Sequence, residues 1–311
     1  MNDTINAGSH ANKNRVFRQI LSDNISFFQQ LELPVQHFTI MPYQKNTIEG
    51  KRGLKVHIES NAFVYMNGIP VFEPVDIELK EVYSKSEIIR ENLNTTSNGK
   101  LQEWGAMVYF NATSNGENVT LQNSLPITIE LPRSQNPRLK GMRIYNGQRI
   151  GSKQINWLEN DYASLHRIGV VDKINAKSTM KMIKNSRSGK RLLGNYLFKT
   201  TRLGWINCNR SLEVNEEQTT LKVVEDTQAL IDIKLVFKKR NTVIPLRKVN
   251  DHFAASGVPV GEKAFIVGLG QINNELYMAV KEITTDRNQE ESLEFKLMTA
   301  GMIKKKLKGI N

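Results

Sequence analysis

Cysteine is almost missing from this chain: Cys208 is the only one in 311 residues. One thiol excludes an internal disulfide and a multi-thiolate zinc site. Histidine is also scarce, limited to His10, His37, His57, His166 and His252. There is no His-x-x-x-His pair, no Cys pair and no Asp-rich loop with calcium spacing, so neither a metal nor another cofactor is expected. No run approaches the roughly 18 apolar residues that cross a bilayer, so no transmembrane segment is expected. The opening MNDTINAGSHANKNR lacks the basic flank and apolar run of a secretory signal. Its absence implies either no export by that route or a signal that has been removed. A nucleotide fingerprint is absent too, because Gly268-Leu269-Gly270 lacks the third glycine and reads as part of a hairpin.

What is present is ordinary in amount and uneven in placement. Hydrophobic residues make up 39% and charged residues 24%, the balance of a folded globular protein of two or three domains. The net charge of +12 sits almost wholly between Arg138 and Arg210, where 16 Lys and Arg face 3 Asp and Glu. A field confined in this way attracts anionic polymers or an acidic protein face. The contacts expected from it are Lys140, Arg143, Arg149, Lys181, Lys184, Arg187, Lys190 and Arg191. No recognition helix, RNA-recognition or zinc-finger motif accompanies the aromatics of this segment, so sequence-specific nucleic-acid binding is not expected.

The hydrophobic pattern predicts mainly β structure: two β-sandwich domains joined by a basic, partly irregular middle segment. Residues 1–34 read as a tail with one short helix over 14–30, residues 35–137 as the first sandwich, 138–210 as the middle segment, and 211–311 as a second sandwich with a C-terminal helix. In PVDIELKEVY, Val75, Ile77 and Leu79 alternate with Asp76, Glu78 and Lys80, the signature of a strand with one wet face. Asn-Gly pairs at 67–68, 98–99, 115–116 and 146–147 are hairpin candidates, since both residues of such a turn need positive φ. Ser84-Lys85-Ser86-Glu87 has capping-box spacing ahead of a short helix, and Thr299 is placed to cap AGMIKKKL. No fixed-period repeat is present.

Two stretches resemble chemistry. RLGWINCNR (202–210) carries Cys208, but none of the histidines has a local signature tying it to that thiol. The residue types fit a buried junction better than a nucleophile, with Trp205 and Ile206 packing and Arg202 and Arg210 facing outward. Trp157, Glu159 and Asp161 place two carboxylates beside an aromatic, a set that suits a glycan contact or, at the right separation, glycosidase chemistry. Solvated acids over packed aromatics is the plainer account.

Four ordered blocks carry a family likeness: GLKVHIESNAFVYMNGIPVFEPVDIELKEVYS, TTSNGKLQEWGAMVYFNATSNGENVTL, LGWINCNR and VPVGEKAFIVGLGQINNELYMAVKEI. Together they resemble envelope-associated proteins of the Bacteroidota, whose first part is similar to the β-sandwich domain of ankyrins and netrin receptors. The resemblance implies a noncatalytic, exported, surface-associated protein. It departs from the pattern at Asn209, where an Asp is usual, and in the missing signal. The expectation is therefore a non-enzymatic structural or interaction protein at the cell envelope, with a protein or anionic-polymer partner and an oligomeric form open to it. A part of a phage particle or contractile injection assembly, made in the cytoplasm, is the first alternative. A carbohydrate-binding protein is the second.

Overall fold

The computed structural model describes residues 27–132, 142–150, 154–159, 196–225 and 230–310. Apolar alternation builds the first layer. β1 (Gln36–Ile40), β5 (Val75–Val82), β7 (Lys100–Ser114), β13 (Gly204–Ser211), β10 (Arg143–Ile150) and β11 (Gln154–Glu159) follow one another across a nine-stranded antiparallel sheet. The short strands β4 (Phe63–Tyr65), β6 (Thr96–Ser97) and β8 (Glu117–Leu121) complete it. Val75, Ile77 and Leu79 are buried as the period predicts, but Lys80, Glu81 and Val82 are buried in succession, because the end of β5 is covered on both faces.

One face of this sheet packs on a four-stranded sheet ordered β12 (Tyr196–Thr200), β9 (Ile127–Leu131), β3 (Lys55–Ile58) and β2 (Asn46–Glu49). Between them lies a core that includes Val56, Phe63, Phe110, Ile129, Phe198, Ile206 and Cys208. This is the expected sandwich, with one correction. The segment 138–210 was expected to stand apart, yet its described strands belong to both sheets: β12 pairs with β9, and β13 lies between β7 and β10. The reason is burial. Trp205 and Ile206 are apolar on opposite faces of β13, and a strand dry on both faces must be interior.

The remaining strands form one eight-stranded sheet, ordered β20 (Glu290–Ser292), β14 (Gln218–Val224), β17 (His252–Pro259), β16 (Val243–Val249), β15 (Leu230–Phe237), β18 (Lys263–Ile272), β19 (Glu275–Thr284) and β21 (Lys296–Leu297). β16 turns a corner, pairing with β15 through Val243–Leu246 and with β17 through Arg247–Val249. The chain then leaves β19 near one edge and joins β14 at the other through β20. The sheet so folds over its own core of Leu221, Ile233, Leu235, Phe253 and Ile266.

A third core joins the two sets of strands. Trp104, Met107, Tyr145, Trp157 and Trp205 of the nine-stranded sheet meet Val236, Val243, Val267, Leu269 and Met278, with Phe27, Phe28 and Leu31 alongside. Two helices seal it. α1 (Lys85–Arg90) starts at Ser84, whose hydroxyl accepts from Glu87 N, while Glu87 accepts from Tyr83 N at 2.8 Å. α2 (Ala300–Lys308) is capped by Thr299 and buries Ile303 and Leu307. Of the helix expected over 14–30, only its end falls within the described residues.

The turns follow their chemistry with two exceptions. Asn98-Gly99 and Asn115-Gly116 have positive φ at both residues. Asn67-Gly68 instead closes a longer turn, with Gly68 N donating to Tyr65 O and Asn67 Oδ1 accepting from Ile69 N. Asn146-Gly147, expected as a hairpin, lies inside β10. A Cβ on Gly147 would sit 2.4 Å from Ile155 Cδ1 and 2.8 Å from Trp205 Cβ, so this glycine serves close packing.

Candidate interaction surface

The loops at one end of the sandwich carry apolar side chains where turn residues are normally polar. Met41 and Tyr43 lie between β1 and β2, and Met66, Ile69 and Phe72 lie between β4 and β5. Register places them together: Ile40 pairs with Val75, and Asp76 with Thr113, so these loops and the Asn115-Gly116 turn share an end. All five side chains are exposed, Met66 to 77% and Phe72 to 67%.

These loops are held by hydrogen bonds. Asn61 N donates to Pro42 O at 2.6 Å, and Asn46 Nδ2 donates to Met41 O and Gln44 O. Tyr65 N donates to Ile69 O at 2.8 Å, Val71 N to Phe63 O at 3.2 Å, and Ser114 Oγ to Pro74 O at 3.0 Å. Beneath them Ala62, Phe63 and Val71 are buried. The exposed side chains therefore stand on a fixed platform.

The platform is remote from the eight-stranded sheet. The 15 residues of β7 span about 45–50 Å. Their first turn-side bonds reach that sheet, with Trp104 N donating to Asn241 O, while their last residues meet the platform loops. The platform rim is mildly acidic. Lys45 pairs with Glu59 at 2.7 Å, and Glu73 and Glu117 are exposed. Backbone N–H contact and then the Tyr65 hydroxyl hold the Glu73 carboxyl below its ordinary range, so it is ionised beside Phe72.

Of the residues singled out from sequence, Arg143, Arg149, Trp157 and Glu159 are described, and they lie on β10 and β11 rather than on the platform. Arg143 pairs with Glu159 across 2.5 Å, and Arg149 Nη2 donates to Glu91 O at 3.2 Å. Lys140, Lys181, Lys184, Arg187, Lys190, Arg191 and Asp161 lie outside the described residues. Trp157 requires a correction as a glycan contact. It is fully buried, and its indole N–H donates to Asn94 O at 2.8 Å, so no sugar face reaches it. The aromatic was drawn inward because the β6–β7 hairpin covers the edge of β11.

Cys208 is also buried, with Sγ 3.9 Å from Met142 Sδ, and burial pushes its thiol up to about 12. His57 stands between Glu130 Oε2, 3.2 Å from its Nε2, and Thr47 Oγ1, 3.1 Å from its Nδ1, and His252 meets Asp251 at 3.1 Å. Among the described residues no three His, Cys, Asp or Glu side chains are grouped to hold a metal, and no helix is long and apolar enough to cross a membrane.

Sequence reasoning passed over MPYQK and MNGIPVF, although both announce themselves: large apolar residues interrupt Pro- and Asn-Gly-containing turns. The sequence matches no family model and no curated protein.

Proposed function

We propose that this chain is a non-enzymatic interaction protein whose apolar platform docks a protein partner. The observation that carries this is five exposed apolar side chains fixed on hydrogen-bonded loops at one end of the sandwich. Contiguous exposed apolar groups mark interaction sites, and Tyr, Phe and Met are the residues such interfaces favour. An ionised Glu73 beside Phe72 disfavours an anionic bilayer and suits a protein face carrying a cation. The family resemblance supports a setting at the cell envelope. The basic surplus of 138–210 supports a second contact, to an anionic polymer or acidic protein.

The test places a photo-crosslinking residue at position 72 in the native host, with position 304 on α2 as control. A discrete protein adduct at 72 alone, lost with Ile69→Ser, is expected. Absence of that adduct, or flotation with neutral or anionic vesicles that Phe72→Ser abolishes, overturns the reading.

A further inference from the structure

On the face of the nine-stranded sheet that meets the eight-stranded sheet, several neutral polar side chains cluster among apolar ones. On β7, Gln102 and Trp104 precede a break in register, and Asn207 and Asn209 lie opposite on β13. Asn209 pairs directly with Trp104, Ser211 with Gln102, and Asn207 with Met107, so the four polar side chains are near neighbours on the sheet. The pleat settles their direction. Trp205 belongs to the core between the two units, Ile206 and Cys208 to the core of the sandwich, so Asn207 and Asn209 alternate onto the side of Trp205. Trp104 itself is part of the inter-unit core, and Gln102 shares its parity.

These groups are sealed. Asn207 and Asn209 are 0% exposed, Gln102 2% and Trp104 3%. The covering chain is bonded over them, with Trp104 N donating to Asn241 O at 3.0 Å and Thr242 Oγ1 donating to Gln102 O at 3.0 Å. Yet six of their side-chain atoms have no partner among the described residues: Gln102 Oε1, Trp104 Nε1, and Nδ2 and Oδ1 of both Asn207 and Asn209. Buried polar groups in folded proteins are nearly always bonded to protein or to ordered water. Four orphaned side chains on one patch of one sheet are therefore a built site. Its chemistry is three donor groups and three acceptor groups with no charge among them, a lining that suits a neutral molecule that both donates and accepts.

We propose that this seam binds a small set of ordered water molecules held between the two units. The register break between Cys208 and Asn209 serves this site by turning Trp104 and Asn209 toward the same side. Because the seam is enclosed, its waters leave only when the two units part, so their residence time reports that opening.

The test is nuclear Overhauser spectroscopy between water and the labelled side-chain amides of the intact protein, with a high-resolution crystal structure alongside. Cross-relaxation of slow-exchange sign at the Asn207 and Asn209 amides and the Trp104 indole is expected, with water oxygens within hydrogen-bond distance. The paired substitution Asn207→Leu and Asn209→Leu should abolish the signal at Trp104; if that variant does not fold, Asn209→Ser serves, and should shorten the residence time. A crystal structure in which the six atoms bond to one another, or wild-type protein with no slow-exchange signal, overturns the proposal.

Discussion

Lys80 Nζ lies 2.9 Å from Glu91 Oε2 and 2.8 Å from Glu32 Oε2, with Lys80 and Glu91 both buried where β5 passes beneath α1. Burial opposes the lysine's charge, but the bonds to Glu32 and Glu91 outweigh it and hold its pKa above the ordinary value. Burial pushes Glu91 the other way, toward its neutral acid, and Lys80 resists. Lys80→Met leaves a buried carboxylate without its cation, and a loss of about 3–5 kcal/mol is expected in urea unfolding. The penalty should shrink toward acid pH. A carboxyl raised in the folded state stabilises folding below its unfolded pKa and loses that contribution as pH rises. A penalty independent of pH would show that Glu91 does not carry it.

Cys208 should resist thiol reagents at pH 8 in the folded state and react fully in denaturant, because a thiol raised to about 12 has almost no thiolate there. Its linkage has the same sign as that of Glu91. The contribution to stability is complete below the ordinary cysteine pKa and is lost as pH rises from about 9 toward 12. Fast labelling of native protein would contradict the buried geometry.

Gly147→Ala should destabilise the fold by about 1–3 kcal/mol, since the added methyl meets Ile155 and the Cβ of Trp205 between packed strands. Gly116→Ala has open space but a φ of +78°, and should cost about 1 kcal/mol through the backbone alone. Thermal unfolding of the two variants separates steric from conformational demand.

Asn94→Ala removes a donor to Ile155 O at 2.8 Å and an acceptor for Thr96 N at 2.9 Å. These bonds shield the outer edge of β11. A loss of about 1–3 kcal/mol and a rise in aggregation on mild heating, read by light scattering, are expected.

Phe72→Ser and Met66→Ser should leave stability within about 0.5 kcal/mol, because both side chains face solvent. Retention on a hydrophobic-interaction column should fall for each. A large drop in melting temperature would mean that the platform is part of the core.

The local elements were legible because each rests on short-range chemistry. Val75, Ile77 and Leu79 alternate, Asn115-Gly116 accepts left-handed backbone, and Ser84 and Thr299 cap their helices as their neighbours require. Asn146-Gly147 shows the limit. The same dipeptide reads as a turn until a neighbouring strand brings Trp205 against it, and that contact is fixed 58 residues away.

By itself, the sequence determined a mainly β chain, the placement of most turns, a buried lone cysteine, and the segregation of positive charge. Those follow from propensity, periodicity and counting, which need no knowledge of what lies across a sheet. Only the tertiary structure decided that β12 and β13 belong to the first sandwich, that Trp157 is buried rather than offered to a sugar, and that Met41, Tyr43, Met66, Ile69 and Phe72 share one end. Strand pairing joins residues far apart in the chain, and an apolar side chain is core or surface according to whether another layer reaches it.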